Sequence, residues 1–247
     1  MHTIRRTTKS QASISAKFGA VSVPIASERD MKIANYTDKN GRPLIDYWIS
    51  ALVATLAPNG SGIRDRRQGS LRWMTTNSGI LSVVDGKLSL DGSFILSAGE
   101  AATANLSAFT LIAKAKATAS GSTIIGSELN SIAGTGSVSV GLSGVLTSAG
   151  GEGNVADNAG SLVGQEVVVS VTFSTERGVT IRRNGVQTYA NPSRNKANIG
   201  GQVRIGGTGS STTRFTGSID CLLYSTRDLS APELFAGLVA LEKQVMT

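Results

Sequence analysis

The chain has 247 residues with a formal net charge of +7, a single cysteine, Cys221, and a single histidine, His2. Hydrophobic residues at 40% exclude an intrinsically disordered chain, and one cysteine excludes an intrachain disulfide framework or a cysteine-based zinc cluster. With 29 glycines, 5 prolines and charged residues at only 17%, the composition suits closely packed strands and turns, read here as one domain preceded by an arm.

The charge is unevenly placed. Arg5, Arg6, Lys9 and Lys17 all precede the first acid, Glu28, so more than half of the excess sits in the first 27 residues. Residues 1–43 carry neither a helical period nor a long strand period, apart from AVSVPI at 20–25, where Pro24 restricts any strand to an edge. This stretch is expected to be an extended basic arm, ordered only where a receiving surface covers its cost in chain entropy. Arg5, Arg6, Lys9 and Lys17 are its docking residues. Nucleic acid is the first partner such charge suggests, but Phe18 is the only Phe, Tyr or Trp in the first 35 residues, which argues against a base-stacking platform.

The segment LIDYWISALVATL, 44–56, is a short helix or the first strand, and its β-branched residues do not separate the two. Beyond it, Asp65 reads as a turn residue, since no further oxygen ligands for calcium lie near it in sequence. Asp85-Gly86 and Asp91-Gly92, flanked by alternating apolar residues, signal hairpins. In 109–117, Phe109, Leu111, Ala113, Ala115 and Ala117 alternate with Thr110, Ile112, Lys114 and Lys116, which predicts a strand whose lysine-bearing face meets water.

The glycine-rich region 121–164 contains SAGGEGNVADNAGS, expected to be a loop at one end of the fold. Val167, Val169, Val171 and Phe173 then face inward, and Asn184-Gly185 closes a two-residue hairpin of type I′. Ile219, Cys221 and Leu223 mark one apolar face of a late strand, which makes Cys221 a buried, inert thiol. Ser230 and Glu233 have capping-box spacing with Pro232 between them, predicting a helix from about Ala231 with a stripe of Leu234, Leu238, Leu241 and Val245.

The order RIGG, RFTGSID, an apolar strand and RDLSAPEL closely resembles the end of laminin-G-like, concanavalin A-like domains. VVVSVTFSTERGVTIRRNG (167–185) and KLSLDGSFIL followed by LSAFTLIAKAK resemble the paired and early strands of the same family. The resemblance covers about residues 45–245. It implies an all-β, concanavalin A-like jelly-roll β-sandwich over 44–247, with the extended N-terminal arm over 1–43 and a short C-terminal helix. Family members are lectins, glycosidases, adhesion modules and accessory domains of bacteriophage particles, so fold alone leaves the function open.

Catalytic signatures are missing. His2 sits at a terminus, the sole E-x-D is Glu28-Arg29-Asp30 in the arm, and no phosphate-binding glycine loop follows a strand. No apolar run reaches the ~20 residues that cross a bilayer. These observations lead to the expectation of a non-enzymatic virion structural protein, a bacteriophage capsid decoration, head-fibre or tail-associated protein. It would be located in the virion, homo-oligomeric, free of cofactor and metal, and anchored to other virion proteins through its arm. The alternative is a lectin-like carbohydrate-binding adhesion module for host-surface glycans, with Glu152, Asn154, Asp157 and Asn158 as contacts.

Overall fold

The structure, a computed structural model, describes residues 28–50, 62–64, 72–75, 82–93, 96–97, 107–119, 123–127, 139–141, 146–148, 153–155, 162–193, 203–207 and 214–247. The fold is all-β, and every strand pairing among these residues is antiparallel. The first sheet contains β1 (Tyr47–Ser50), β4 (Ser82–Val84), β5 (Lys87–Asp91), β7 (Ala108–Ala117), β12 (Glu166–Ser174), β13 (Gly178–Arg183), β14 (Val186–Asn191) and β16 (Thr216–Ser225). They run in the order β14-β13-β12-β7-β16-β5-β4, and β1 pairs with the far end of β16.

The second sheet contains β2 (Gly62–Arg64), β3 (Arg72–Thr75), β6 (Leu96–Ser97), β8 (Thr123–Ser127), β9 (Ser139–Gly141), β10 (Leu146–Ser148), β11 (Gly153–Val155) and β15 (Val203–Ile205), in the order β11-β10-β9-β8-β15-β6-β3-β2. The two sheets make a β-sandwich. Its inner layer holds the alternating apolar set: Phe109 pairs with Phe173, Leu111 with Val171, Ala113 with Val169 and Ala115 with Val167. Phe109 stacks on Phe173 at 5.8 Å and on Tyr224 at 6.1 Å, tying three neighbouring strands together. Ile124 and Ile205 of the second sheet are buried as well.

Two of the three expected hairpins form as their turn chemistry dictates, whereas Asp91-Gly92 closes none, because β5 pairs with β4 and β16 and the next strand, β6, belongs to the other sheet. Asp85 and Gly86 take φ 50° and 71°, and Asn184 and Gly185 take 47° and 80°, so both central residues of each turn are left-handed, as a type I′ turn requires. The segment 44–56 resolves to a strand over Tyr47–Ser50, while its later residues lie outside the described ones.

The other face of the first sheet departs from expectation. A helical layer covers part of it, built from α1 (Glu28–Asn35) and α2 (Phe235–Met246). Ile112, Val168, Cys221 and Leu223 from the strands join Ile33, Leu44, Ile45, Leu229, Leu238, Leu241 and Val245 in one buried cluster. Burying each of the large aliphatic side chains contributes about 1.5–3 kcal/mol. Hence the face of β7 expected to meet water is dry over Thr110 and Ile112 and becomes exposed only at Lys116.

Residues 28–43, expected to belong to the extended arm, fold onto their own subunit. Ile33 finds an apolar site beside Leu44 and the α2 stripe, and a Thr37–Pro43 bridge closes the return. The Asp38 carboxylate accepts the amides of Asn40 and Arg42 at 2.9 Å each and pairs with Arg227 at 2.8 Å. Residues 1–27, with Arg5, Arg6, Lys9 and Lys17, lie outside the described residues.

Two further details were not foreseen. Ile219 and Cys221 were expected on one face of β16, but the pairing with β7 shifts register between them. Ile219 therefore opposes Ala115 in the inner layer while Cys221 and Leu223 turn to the helices, because a bulge inverts the alternation beyond it. The helix also begins later than Ala231. Ser230 donates its hydroxyl and its amide to Asp228 Oδ1 instead of capping, residues 231–234 form turns, and α2 starts at Phe235 without a side-chain cap. The stripe of Leu238, Leu241 and Val245 is fully buried, with Leu234 partly so.

Candidate functional site

Where the helical layer stops, the outer face of the first sheet opens into a groove of about 570 Å³ lined by residues of β4, β5, β16 and β7. Its position follows from register. Ser82 opposes Ser89, Ser89 opposes Ser218, Ser218 opposes Lys116 and Lys116 opposes Glu166, so one polar row crosses five strands on a single face. A second row places Asp91 opposite Thr216, whose carbonyl accepts the amide of Thr118 at 2.8 Å. Val84, exposed at 55%, and Asp85 from the β4–β5 turn form one flank.

An ionic cluster separates groove from helices. Lys114 lies 3.5 Å from Asp220 and 4.0 Å from Glu166, and it donates to the carbonyl of Met246 at 3.4 Å, at the C-terminal end of α2 where a cation is favoured. Glu166 also holds Lys87. Asp220, the residue at the bulge, is thus drawn beside Lys114 by the same irregularity that redirects Cys221.

Within the groove, Asp91 Oδ1 accepts the amide of Ser93 at 2.9 Å and its hydroxyl, and these bonds hold the Asp91 carboxyl below its ordinary value, the hydroxyl bond most strongly. Among the described residues no ion pair engages Lys116, which is exposed. The lining therefore offers hydroxyls (Ser89, Thr118, Thr216, Ser218), carboxylates (Asp85, Asp91) and ammonium groups (Lys87, Lys116), together with aliphatic contact from Val84. Such a surface can hydrogen-bond a ligand rich in both donors and acceptors. Among the described residues no group of three His, Cys, Asp or Glu side chains could hold a metal ion.

The residues expected to contact glycan are elsewhere. Asn154 lies in β11, opposite Thr147 on the edge of the second sheet, whereas Glu152, Asp157 and Asn158 are outside the described residues, as is Asp65. The groove residues went unnoticed because each sits at an outward position of an alternating strand, where a polar side chain reads as ordinary solvation. Their only sequence signal is the recurrence of hydroxyl and charged residues at those positions in KLSLD and TGS.

No protein-family model and no curated protein matches the sequence. Solved structures of the same fold do. Trypanosoma rangeli sialidase in complex with 2,3-difluorosialic acid aligns with a TM-score of 0.57 at 16% identity, over 89% of this chain and 38% of that one. The same sialidase in complex with sialic acid gives 0.56 at 14% identity, over 89% and 38%. Domain 4 of a GH43 extracellular arabinanase from Geobacillus stearothermophilus, in complex with arabinotriose, gives 0.55 at 16% identity over 79% of this chain and 98% of the domain. The chain thus spans 38% of the sialidase chains but matches an almost complete arabinanase domain.

These neighbours correct two expectations. The reading as a virion structural protein gives way, because the structural neighbours named above are a sialidase and an arabinanase domain. The placing of the chain apart from enzymes gives way with it, because a sialidase and an arabinanase both carry this sandwich. At such low identity the shared property is the fold, and the chain is similar in architecture to domains of glycosidases.

Proposed function

We propose that the chain is a carbohydrate-binding β-sandwich of the concanavalin A-like, laminin-G-like kind, related in architecture to domains of glycosidases. The observation that carries this reading is the match to a whole arabinanase domain whose structure contains arabinotriose. A groove of about 570 Å³ with hydroxyl, carboxylate and ammonium groups supports it, since saccharides are held by several directional hydrogen bonds at once. Isothermal titration of the purified chain against a broad set of oligosaccharides, including arabinotriose and sialylated sugars, tests the proposal. Saturable binding with one preferred class is expected. Heats indistinguishable from dilution across the whole set would end it.

A further inference from the structure

We infer that the β4–β5–β16–β7 groove is the saccharide site, and that it takes an uncharged oligosaccharide lying across the strands. The inference rests on the carbohydrate reading above and adds where the sugar sits and which class it belongs to.

The direction comes from the polar row. Ser89, Ser218 and Lys116 stand on three adjacent strands at matched register, so their side chains repeat about every 4.8 Å perpendicular to the strands. That ladder suits a linear chain of hydroxyl-bearing rings better than one compact ligand. Gly217 holds the two rows together: it adopts φ 145°, and a Cβ there would stand 2.0 Å from the backbone carbonyl oxygen of Lys116, so β16 lies this close to β7 only with glycine at this position. Val84, 55% exposed, offers aliphatic contact for the C–H face of a ring.

The preference for an uncharged ligand comes from the distribution of charge. Lys87 is already held by Glu166, which leaves Lys116 on the β7 side, while Asp85 and Asp91 line the β4–β5 side. A sugar hydroxyl can donate to the aspartates and accept from Lys116 within one bound chain. A carboxylated sugar spanning the groove would gain at Lys116 but meet two carboxylates at the other side, and like charges in a partly desolvated site repel.

The test compares the full chain with its Lys116→Gln and Ser218→Ala variants, using neutral oligosaccharides including arabinotriose and matched oligosaccharides ending in uronic or sialic acid. Asn154→Ala, on the edge of the other sheet, serves as a distant control. The expected result is preference for the neutral set, with a loss of about tenfold in affinity for each groove variant and none for Asn154→Ala. Amide resonances of Ser89, Lys116 and Ser218 in the unmodified chain should shift on titration, a readout independent of any variant's folding. Neutral sugars bound equally well by parent and groove variants, or shifts confined to other residues, would overturn the location while leaving the carbohydrate reading intact. Preference for the acidic set would overturn the ligand class. Absence of binding to either set would remove the carbohydrate reading itself, and this inference with it.

Discussion

The outer face of the first sheet is two surfaces on the same strands. Toward one end, Ile112 of β7 and Cys221 and Leu223 of β16 are dry beneath α1 and α2, and Thr110 is buried against residues 227–229; toward the other, Lys116, Thr216 and Ser218 of those strands line an open groove. The change of character happens within a few residues, and the bulge between Ile219 and Cys221 marks it. A single strand can therefore serve as core at one end and as ligand surface at the other, provided that something resets its alternation between them.

The largest expected effect breaks the covered half. Glu242 is 1% exposed and its carboxylate receives Arg182 Nε at 2.8 Å, so Glu242→Ala leaves a guanidinium without its acid under the helix. Removing one partner of a buried pair costs about 3–5 kcal/mol, readable as a lowered urea midpoint. Leu238→Ala comes next, since a fully buried leucine truncated to alanine loses about 2–5 kcal/mol through lost burial and the cavity left behind. Gly217→Ala should cost about 1–3 kcal/mol for its backbone conformation alone, before any clash with Lys116. It is also the one substitution here expected to damage the open half by way of the fold.

A smaller effect concerns the clasp over 38–43. Burial raises the Asp38 carboxyl, but the amides of Arg42 and Asn40 and the Arg227 guanidinium together outweigh it and hold it below its ordinary value of 3.8. A carboxylate depressed in the folded state adds stability above its unfolded pKa and loses it as pH falls through the folded one. The difference in melting temperature between the parent chain and Asp38→Asn should thus be full at neutral pH and shrink as pH drops below about 4. A difference that stays constant down to strongly acidic pH would show that the carboxylate charge contributes nothing there. Least of all, Lys116→Gln should leave stability within about 0.5 kcal/mol of the parent, because the side chain is exposed and held by no ion pair among the described residues. A large loss in that variant would mean that Lys116 belongs to the framework.

The elements legible in sequence were those whose signal is local. Asp85-Gly86 and Asn184-Gly185 announce their turns because few other residue pairs tolerate two left-handed positions in a row. The α2 stripe was readable because its period persists over three turns. By contrast, α1 carries a single buried apolar residue among the described ones, Ile33, and so has no stripe to read. The bulge at Asp220 was hidden because alternation in sequence says nothing of where an extra residue is accommodated. The groove was invisible for a further reason, as it assembles 84–91, 116–118 and 216–218 from strands far apart along the chain.

Alternation, glycine-bearing turns and the leucine stripe, all properties of neighbouring residues, were enough to settle that this chain forms antiparallel strands closed by one C-terminal helix. Which outward residues are covered and which remain open depends on where the helices come to rest and on how distant strands align. That outcome is set by the competition among apolar surfaces for burial, and it exists only once the sheet has formed.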